Sequence, residues 1–314
     1  MASDLPEAAA RARRDLPLVL LASLAFATAG PLGKAAAGVP AVLVACGRTG
    51  IAAIAIGLYA RGAIPRALRA LTTRQRGAVV LAGLLLATHF ALFMGGLQAT
   101  SLAAAVALVS LEPLAVVLAS FLAFGLRPTR RELAGLVLAT AGAVVVASGA
   151  GAGEHSLAGD ALVLACVVFY GAYVAAARGL KDALPPLPYA ASVYGVASLA
   201  LLVPAIVLCA RASSLHAEAL PARALAAIVA LGLVPTLVGH TVVQRVARRA
   251  PPALVALVSP GETVGSLAIG ALVMNAAPTA REAAGAVLVL AGATLAVTGG
   301  RRGRAGRRGD PAEP

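Results

Sequence analysis

The sequence predicts an all-α polytopic membrane protein, with ten transmembrane helices arranged as a five-plus-five inverted repeat. Three observations lead there. The 314-residue chain is 60% hydrophobic and only 12% charged, whereas an ordinary soluble domain carries about 25% charge. Apolar windows recur along nearly the whole chain, each about 20 residues long, which is enough to cross the hydrocarbon as a helix. One stretch is also written twice. Residues 107–143 (ALVSLEPLAVVLASFLAFGLRPTRRELAGLVLATAGA) and 256–293 (ALVSPGETVGSLAIGALVMNAAPTAREAAGAVLVLAGA) share ALVS, a following Glu, PT-x-RE-x-x-G and a closing AGA in the same order. Duplicated membrane segments mark folds whose binding site lies between two related halves.

The spans fall at 16–36, 40–60, 77–97, 102–125, 132–150, 158–178, 188–210, 224–246, 253–275 and 281–299. They lack the polar/apolar alternation of an outer-membrane strand. The resulting division is a basic N-terminal tail (1–15), a first five-helix repeat (16–150), a second (158–299) and an Arg-rich tail (300–314). The first apolar run follows Arg11, Arg13 and Arg14 as a signal peptide would. It continues past the usual h-region length, so it reads as a retained helix.

Loop charge sets the orientation. With the N-terminus inside, alternate segments hold Arg11, Arg13 and Arg14; Arg61, Arg66, Arg69, Arg74 and Arg76; Arg127, Arg130 and Arg131; Arg178 and Lys181; Arg245, Arg248 and Arg249; and the five Arg of the C-terminal tail. That is 21 of the 26 basic residues, against Arg211, Arg223 and Arg281 outside. The positive-inside rule therefore puts both termini of this multi-pass membrane protein in the cytoplasm. Five spans per half is an odd number, so the second half runs upside down. The bias reverses accordingly, from three Arg after the first ALVS copy to Arg281 alone after the second.

The same bias explains the net charge of +13 without nucleic acid, and no nucleic-acid-binding pattern accompanies it. Cys46, Cys166 and Cys209 lie inside spans without C-x-x-C spacing, which reads as apolar filler. No G-x-S-x-G, Walker A or H-E-x-x-H signature is present. The reading is therefore of a protein that is not an enzyme and uses no cofactor or metal.

Ionisable groups inside spans cost about 2.5–3.5 kcal/mol each at a helix centre, so they need partners or a wet cavity. Glu112 and Glu262 occupy matching midspan places in the two repeats, beside Pro113 and beside Pro260 and Gly261. Proline removes a backbone donor and frees a carbonyl. A cation, an ammonium group or a proton would suit such a place; the alternative is a pair of protonated packing residues. His89 and His240 fall in corresponding spans 3 and 8 and are candidate proton carriers or helix–helix hydrogen bonds. Arg48 lies about eight residues into span 2, where it would hold a carboxylate or pair with a Glu. Lys34 sits near the end of span 1, where snorkelling also accounts for it. Gln98, Gln244, Tyr170 and Tyr173 complete the candidate pathway, and Asp160 reads as an N-terminal helix cap.

These residues resemble a known family. GRTGIAAI in span 2, THFALFMGGLQATSLAAAVALVSLEP in spans 3 and 4, GDALVLACVVFYGAYVAAARGL in span 6, VPTLVGHTVVQ in span 8 and ALVSPGETVGSLAIGALV in span 9 are similar to the EamA-type transporters of the drug/metabolite transporter superfamily. The likeness covers nearly all of 16–299. It implies ten helices, an inner-membrane location and solute movement by alternating access, often export of amino acids or related metabolites. Arg48, His89, His240 and Glu262 match family positions. The family commonly places a Glu just before the Leu/Pro-Thr that ends helices 4 and 9, where this chain has Leu126 and Ala276. Gln244 stands where relatives often have Asn, and Glu112 where many have a neutral residue.

The expectation is a secondary transporter with a cavity lined by spans 1–4 and 6–9, and with spans 5 and 10 peripheral. Its partners would be a small-molecule substrate, protons as a candidate coupling ion, and membrane lipids; a homodimer is left open. Two other classes stay open. One is a membrane sensor or scaffold whose Arg-rich tail binds anionic lipid or a partner. The other is a membrane-embedded enzyme, which a covalently changed product would reveal.

Overall fold

A computed structural model describes residues 17–125, 129–149, 153–180, 182–211, 220–247 and 258–306. Both terminal tails up to Leu16 and from Arg307, together with Leu126, Arg127, Lys181, Arg248, Arg249 and the start of the expected ninth span, lie outside these residues.

All regular structure among the described residues is helical. The helices are α1 (Pro17–Ala35), α2 (Ala41–Tyr59), α3 (Ala63–Arg69), α4 (Thr73–Ala99), α5 (Leu102–Ala123), α6 (Arg130–Ala147), α7 (Leu157–Arg178), α8 (Pro186–Arg211), α9 (Ala222–Val246), α10 (Val258–Val273) and α11 (Ala280–Gly306). Seven of them, α1, α2, α4, α5, α7, α8 and α9, are long and apolar enough to cross a membrane. The apolar parts of α6 and α10 are shorter, Leu133–Ala147 and Gly261–Val273. The short α3 was not expected; it occupies part of the Arg-rich 61–76 connection.

Local chemistry sets the boundaries. Thr72 and Gln75 form a capping box at the start of α4: the Gln75 N–H donates to Thr72 Oγ1 at 3.3 Å, and the Thr72 N–H donates to Gln75 Oε1 at 2.9 Å. Ser101 caps α5, accepting from the Ala104 N–H at 3.0 Å. Gly125, at φ 65°, adopts the left-handed conformation that ends helices. The expected cap of α7 is corrected. Ser156 does that work, accepting from the Gly159 N–H at 3.1 Å, because its backbone is extended, whereas Asp160 already lies in the first turn.

The repeated PT-x-RE motif also has a structural meaning. In the second copy, Thr279 and Glu282 form a T-x-x-E capping box. The Thr279 N–H donates to Glu282 Oε2 at 2.8 Å, and the Glu282 N–H donates to Thr279 Oγ1 at 3.3 Å.

The first part of α5, Leu102–Val109, is buried at every residue and forms the middle of the bundle. Around it α2 packs on α8, α4 on α7 and α8, α5 on α7, α10 and α11, and α9 on α1 and α2. Outward faces are apolar instead, with Leu24, Leu122, Val137, Val144, Val168, Leu199 and Val203 exposed. Polar side chains inside and apolar ones outside are the arrangement a lipid solvent demands.

Helices α6 and α11 meet at backbone distance. A Cβ on Gly292 would lie 2.4 Å from the Ala139 nitrogen, and one on Gly142 would lie 2.6 Å from the Val289 nitrogen. Close approach of this kind replaces hydrophobic driving force between helices in lipid. Gly292→Leu is expected to destabilise the detergent-solubilised protein by more than the roughly 1–3 kcal/mol of ordinary overpacking, because backbone and not a side chain must move. An unchanged thermal midpoint would show that the two helices separate freely.

Candidate functional site

The site begins with a proline. Pro235 has no N–H to donate to the Leu231 carbonyl one turn earlier. Residues Gly232–His240 adopt a widened π-helical turn, a form frequent at functional sites. The Thr236 hydroxyl also donates to Leu231 O at 2.7 Å. Its oxygen is then free to accept from Arg48 Nε on α2, at 2.9 Å. Tyr194 on α8 braces the same turn, donating to the Thr236 carbonyl at 3.2 Å.

Arg48 is only 1% exposed. Its guanidinium carbon lies 4.0 Å from the centre of the Phe90 ring, a cation–π contact that partly replaces lost water. Nη1 has no hydrogen-bond partner among the described residues. A buried guanidinium N–H without an acceptor is costly, and the Arg48 side chain borders a cavity lined also by Phe26, His89, Glu112, His240 and Glu262. The cavity measures ≈ 20 Å³, room for about one water.

His89 on α4 holds its ring by Nδ1, 3.0 Å from the Cys166 carbonyl on α7. A carbonyl only accepts, so Nδ1 carries the proton and, in the neutral ring, Nε2 presents its lone pair. Nε2 lies 3.9 Å from Glu112 Oε1. Glu112 follows a break in α5 at Ser110–Leu111, just before Pro113. Ser110 Oγ lies 3.2 Å and Thr263 Oγ1 3.1 Å from the Val106 carbonyl, and the two hydroxyls bond each other. This crossing joins the residues beside Glu112 to those beside Glu262. His240 sits edge-on to Phe26 and Phe90, with ring centres 4.7 and 5.2 Å away.

Five expected residues, Arg48, His89, Glu112, His240 and Glu262, thus converge on one cavity. Tyr170 adjoins them, its ring 5.3 Å from that of His89. Tyr173 and Gln244 bond each other, Gln244 Nε2 donating to the phenol oxygen. Gln98 and Lys34 lie elsewhere. Gln98 donates to the Val39 carbonyl at 3.0 Å, and Lys34 donates to the Thr100 carbonyl at 2.7 Å and to Glu154 at 2.9 Å. The sequence reading missed Thr236, Tyr194, Phe90, Ser110 and Thr263. Pro235-Thr236 inside a span was the available signal for the first, since a hydroxyl beside a span proline can satisfy a freed carbonyl.

A helical bundle with apolar outer faces and an ionisable, occluded centre defines a multi-pass membrane protein. A family model for the EamA-like transporter family matches residues 15–148 and again 157–298. The chain belongs to that family, and is a membrane transporter of the drug/metabolite type. A solved structure described only as a crystal structure of a protein is similar to it, at 25% identity and a TM-score of 0.65, covering 92% of this chain and 98% of that one. No curated protein matches the chain.

Thr236→Val leaves Arg48 Nε without its hydroxyl acceptor. It is expected to cost about 1–3 kcal/mol for the buried group left unsatisfied, seen as a lower melting midpoint in detergent that Thr236→Ser restores. A Val variant as stable as the parent would remove the hydroxyl from this account.

Proposed function

We propose that the chain moves a small metabolite, an amino acid or related compound, out of the cell across the inner membrane by proton-coupled alternating access. The observation that carries this reading is the unpartnered Arg48 Nη1 beside the same cavity as two carboxylates. Such a lining is amphoteric. Arg48 suits a substrate carboxylate through charge-assisted hydrogen bonds, and Glu112 or Glu262 suits an ammonium group. Arg48 balances one ionised carboxylate; the other needs a proton or a substrate cation to be tolerated in a dry site. Substrate binding and protonation thereby compete for one charge balance, the elementary requirement for coupling. At ≈ 20 Å³ the cavity admits no metabolite, so binding requires the surrounding helices to part.

The reading includes ten spans as two inverted five-helix repeats, 16–150 and 158–299, with both termini cytoplasmic. Helix pairings support it. If the second repeat repeats the first in order, exchanging the halves turns α4–α7 into α9–α1, α5–α7 into α10–α1 and α2–α9 into α8–α4, and all of these pairs pack. Pairs α2–α8, α5–α10 and α6–α11 map onto themselves and also pack. Such pairings are among those a two-fold relation would give, and they support the reading.

The test is flux of an amino-acid library in proteoliposomes with and without a pH gradient. Arg48→Gln and Glu262→Gln, both normally inserted, are expected to lower flux at least about tenfold. Arg48→Lys is expected to raise the half-saturation concentration, because the planar fork is lost while the charge stays. Unchanged flux in Arg48→Gln, or no solute moved under any gradient, would sink the reading.

A further inference from the structure

One corner of the bundle carries a concentration of positive charge that the transport reading does not use. Arg61, Arg66, Arg69, Arg74 and Arg76 lie on and around α3 and the start of α4, and all five are exposed. None of them makes an ion pair among the described residues. The sequence supplies no acid nearby, since no Asp or Glu occurs between Asp15 and Glu112. The fold then gathers three of the five. Ile64, Ala67 and Leu68 are half-buried and pack on the core, with α3 lying against α8. Arg66 and Arg69 are left on the outer face of α3, at the spacing that makes helical side chains neighbours. Arg76 folds back from the start of α4, its Nη2 donating to the Arg69 carbonyl at 3.4 Å.

Like charges held this closely repel, and a shared anion relieves the repulsion. Guanidinium groups suit phosphate, whose oxygens they bond in pairs. Depth decides which phosphate. Exposed apolar side chains begin three residues before Arg61, at Leu58, and four residues after Arg76, at Val80. Four helical residues rise about 6 Å. Tyr59, a residue type enriched at membrane interfaces, is exposed just before Arg61. The arginines therefore sit where the lipid-facing surfaces of α2 and α4 end, at headgroup level. A soluble anion gains nothing from the apolar surface beside them. A phospholipid sets its phosphate on the arginines and its chains along that surface.

We propose that the corner between α3 and α4 binds an anionic phospholipid, with Arg66, Arg69 and Arg76 holding its phosphate and Arg61 and Arg74 adding to the positive field. Zwitterionic lipids carry a cationic headgroup that this field repels, so the site selects lipids of net negative charge. The corner joins α2, which carries Arg48, to α4, which carries His89 and Phe90. The bound lipid thus anchors the connection between two walls of the central cavity. The proposal is independent of the solute assigned above.

The experiment reads lipid binding, not flux. The delipidated full chain in a neutral detergent is titrated with phosphatidylglycerol or with phosphatidylcholine, and lipid-bound species are counted by mass spectrometry of the intact complex. The parent is expected to bind phosphatidylglycerol at least roughly tenfold more tightly than phosphatidylcholine. Each basic residue near an anionic headgroup is worth about fivefold. Arg66→Gln/Arg69→Gln is therefore expected to lose at least roughly tenfold in phosphatidylglycerol affinity, while its lipid-free thermal midpoint stays that of the parent, because both side chains are exposed. Arg130→Gln/Arg131→Gln removes the same charge from exposed residues at the start of α6, and is expected to lose less than about twofold. Excess inorganic phosphate is expected to leave the lipid in place. Should the first variant fail to fold, Arg76→Gln carries the same test, with an expected loss of about fivefold. Equal affinity of the parent for the two lipids, an equal loss in both double variants, or displacement by inorganic phosphate overturns the site.

Discussion

The structure depends on one constraint: a guanidinium is carried into the middle of a bundle that excludes water. Arg48 accepts no escape by snorkelling, because it lies well inside α2 with 1% of its surface exposed. Three neighbours answer it. Phe90 supplies a π face, the Thr236 hydroxyl supplies an acceptor, and carboxylates border the same cavity. Each answer comes from a different helix, so the helices must sit where they do for the charge to be tolerated.

Prolines make those answers available. Pro235 opens a π turn in which Thr236 donates to the Leu231 carbonyl, and α5 breaks just before Pro113, next to Glu112. In lipid every freed backbone group must find a partner within the protein. Side-chain hydroxyls bond backbone carbonyls near both sites, and they also link α2 to α9 and α5 to α10. The breaks at Ser110–Leu111 and Gly232–His240 thus lie beside the cavity, while α6 and α11 pack through glycine.

The polar residues separate into two layers with different roles. The central group surrounds a small cavity and includes an unpartnered donor, which suits binding. The end group joins both repeats, Thr100 donating to Asp160 and Ser101 to Glu282 with His155 between the two carboxylates, which suits holding. Lys34 belongs with this second layer, at the end of the bundle, and not with the cavity.

Hydropathy and loop charge made the membrane class and most helix limits readable in the sequence, because span length and apolarity are imposed locally by the bilayer. Duplication made Glu112 and Glu262 readable as a pair. The T-x-x-E capping box was equally present in the repeated PT-x-RE, but as a repeat mark it concealed its local hydrogen bonding. Tertiary structure alone decided which polar groups meet. Arg48 and Thr236 are 188 residues apart, Thr100 and Asp160 are 60 apart, and Ser101 and Glu282 are 181 apart. A hydrogen bond requires atoms within about 3 Å and aligned, and no periodicity along a chain encodes that alignment between helices so distant in sequence.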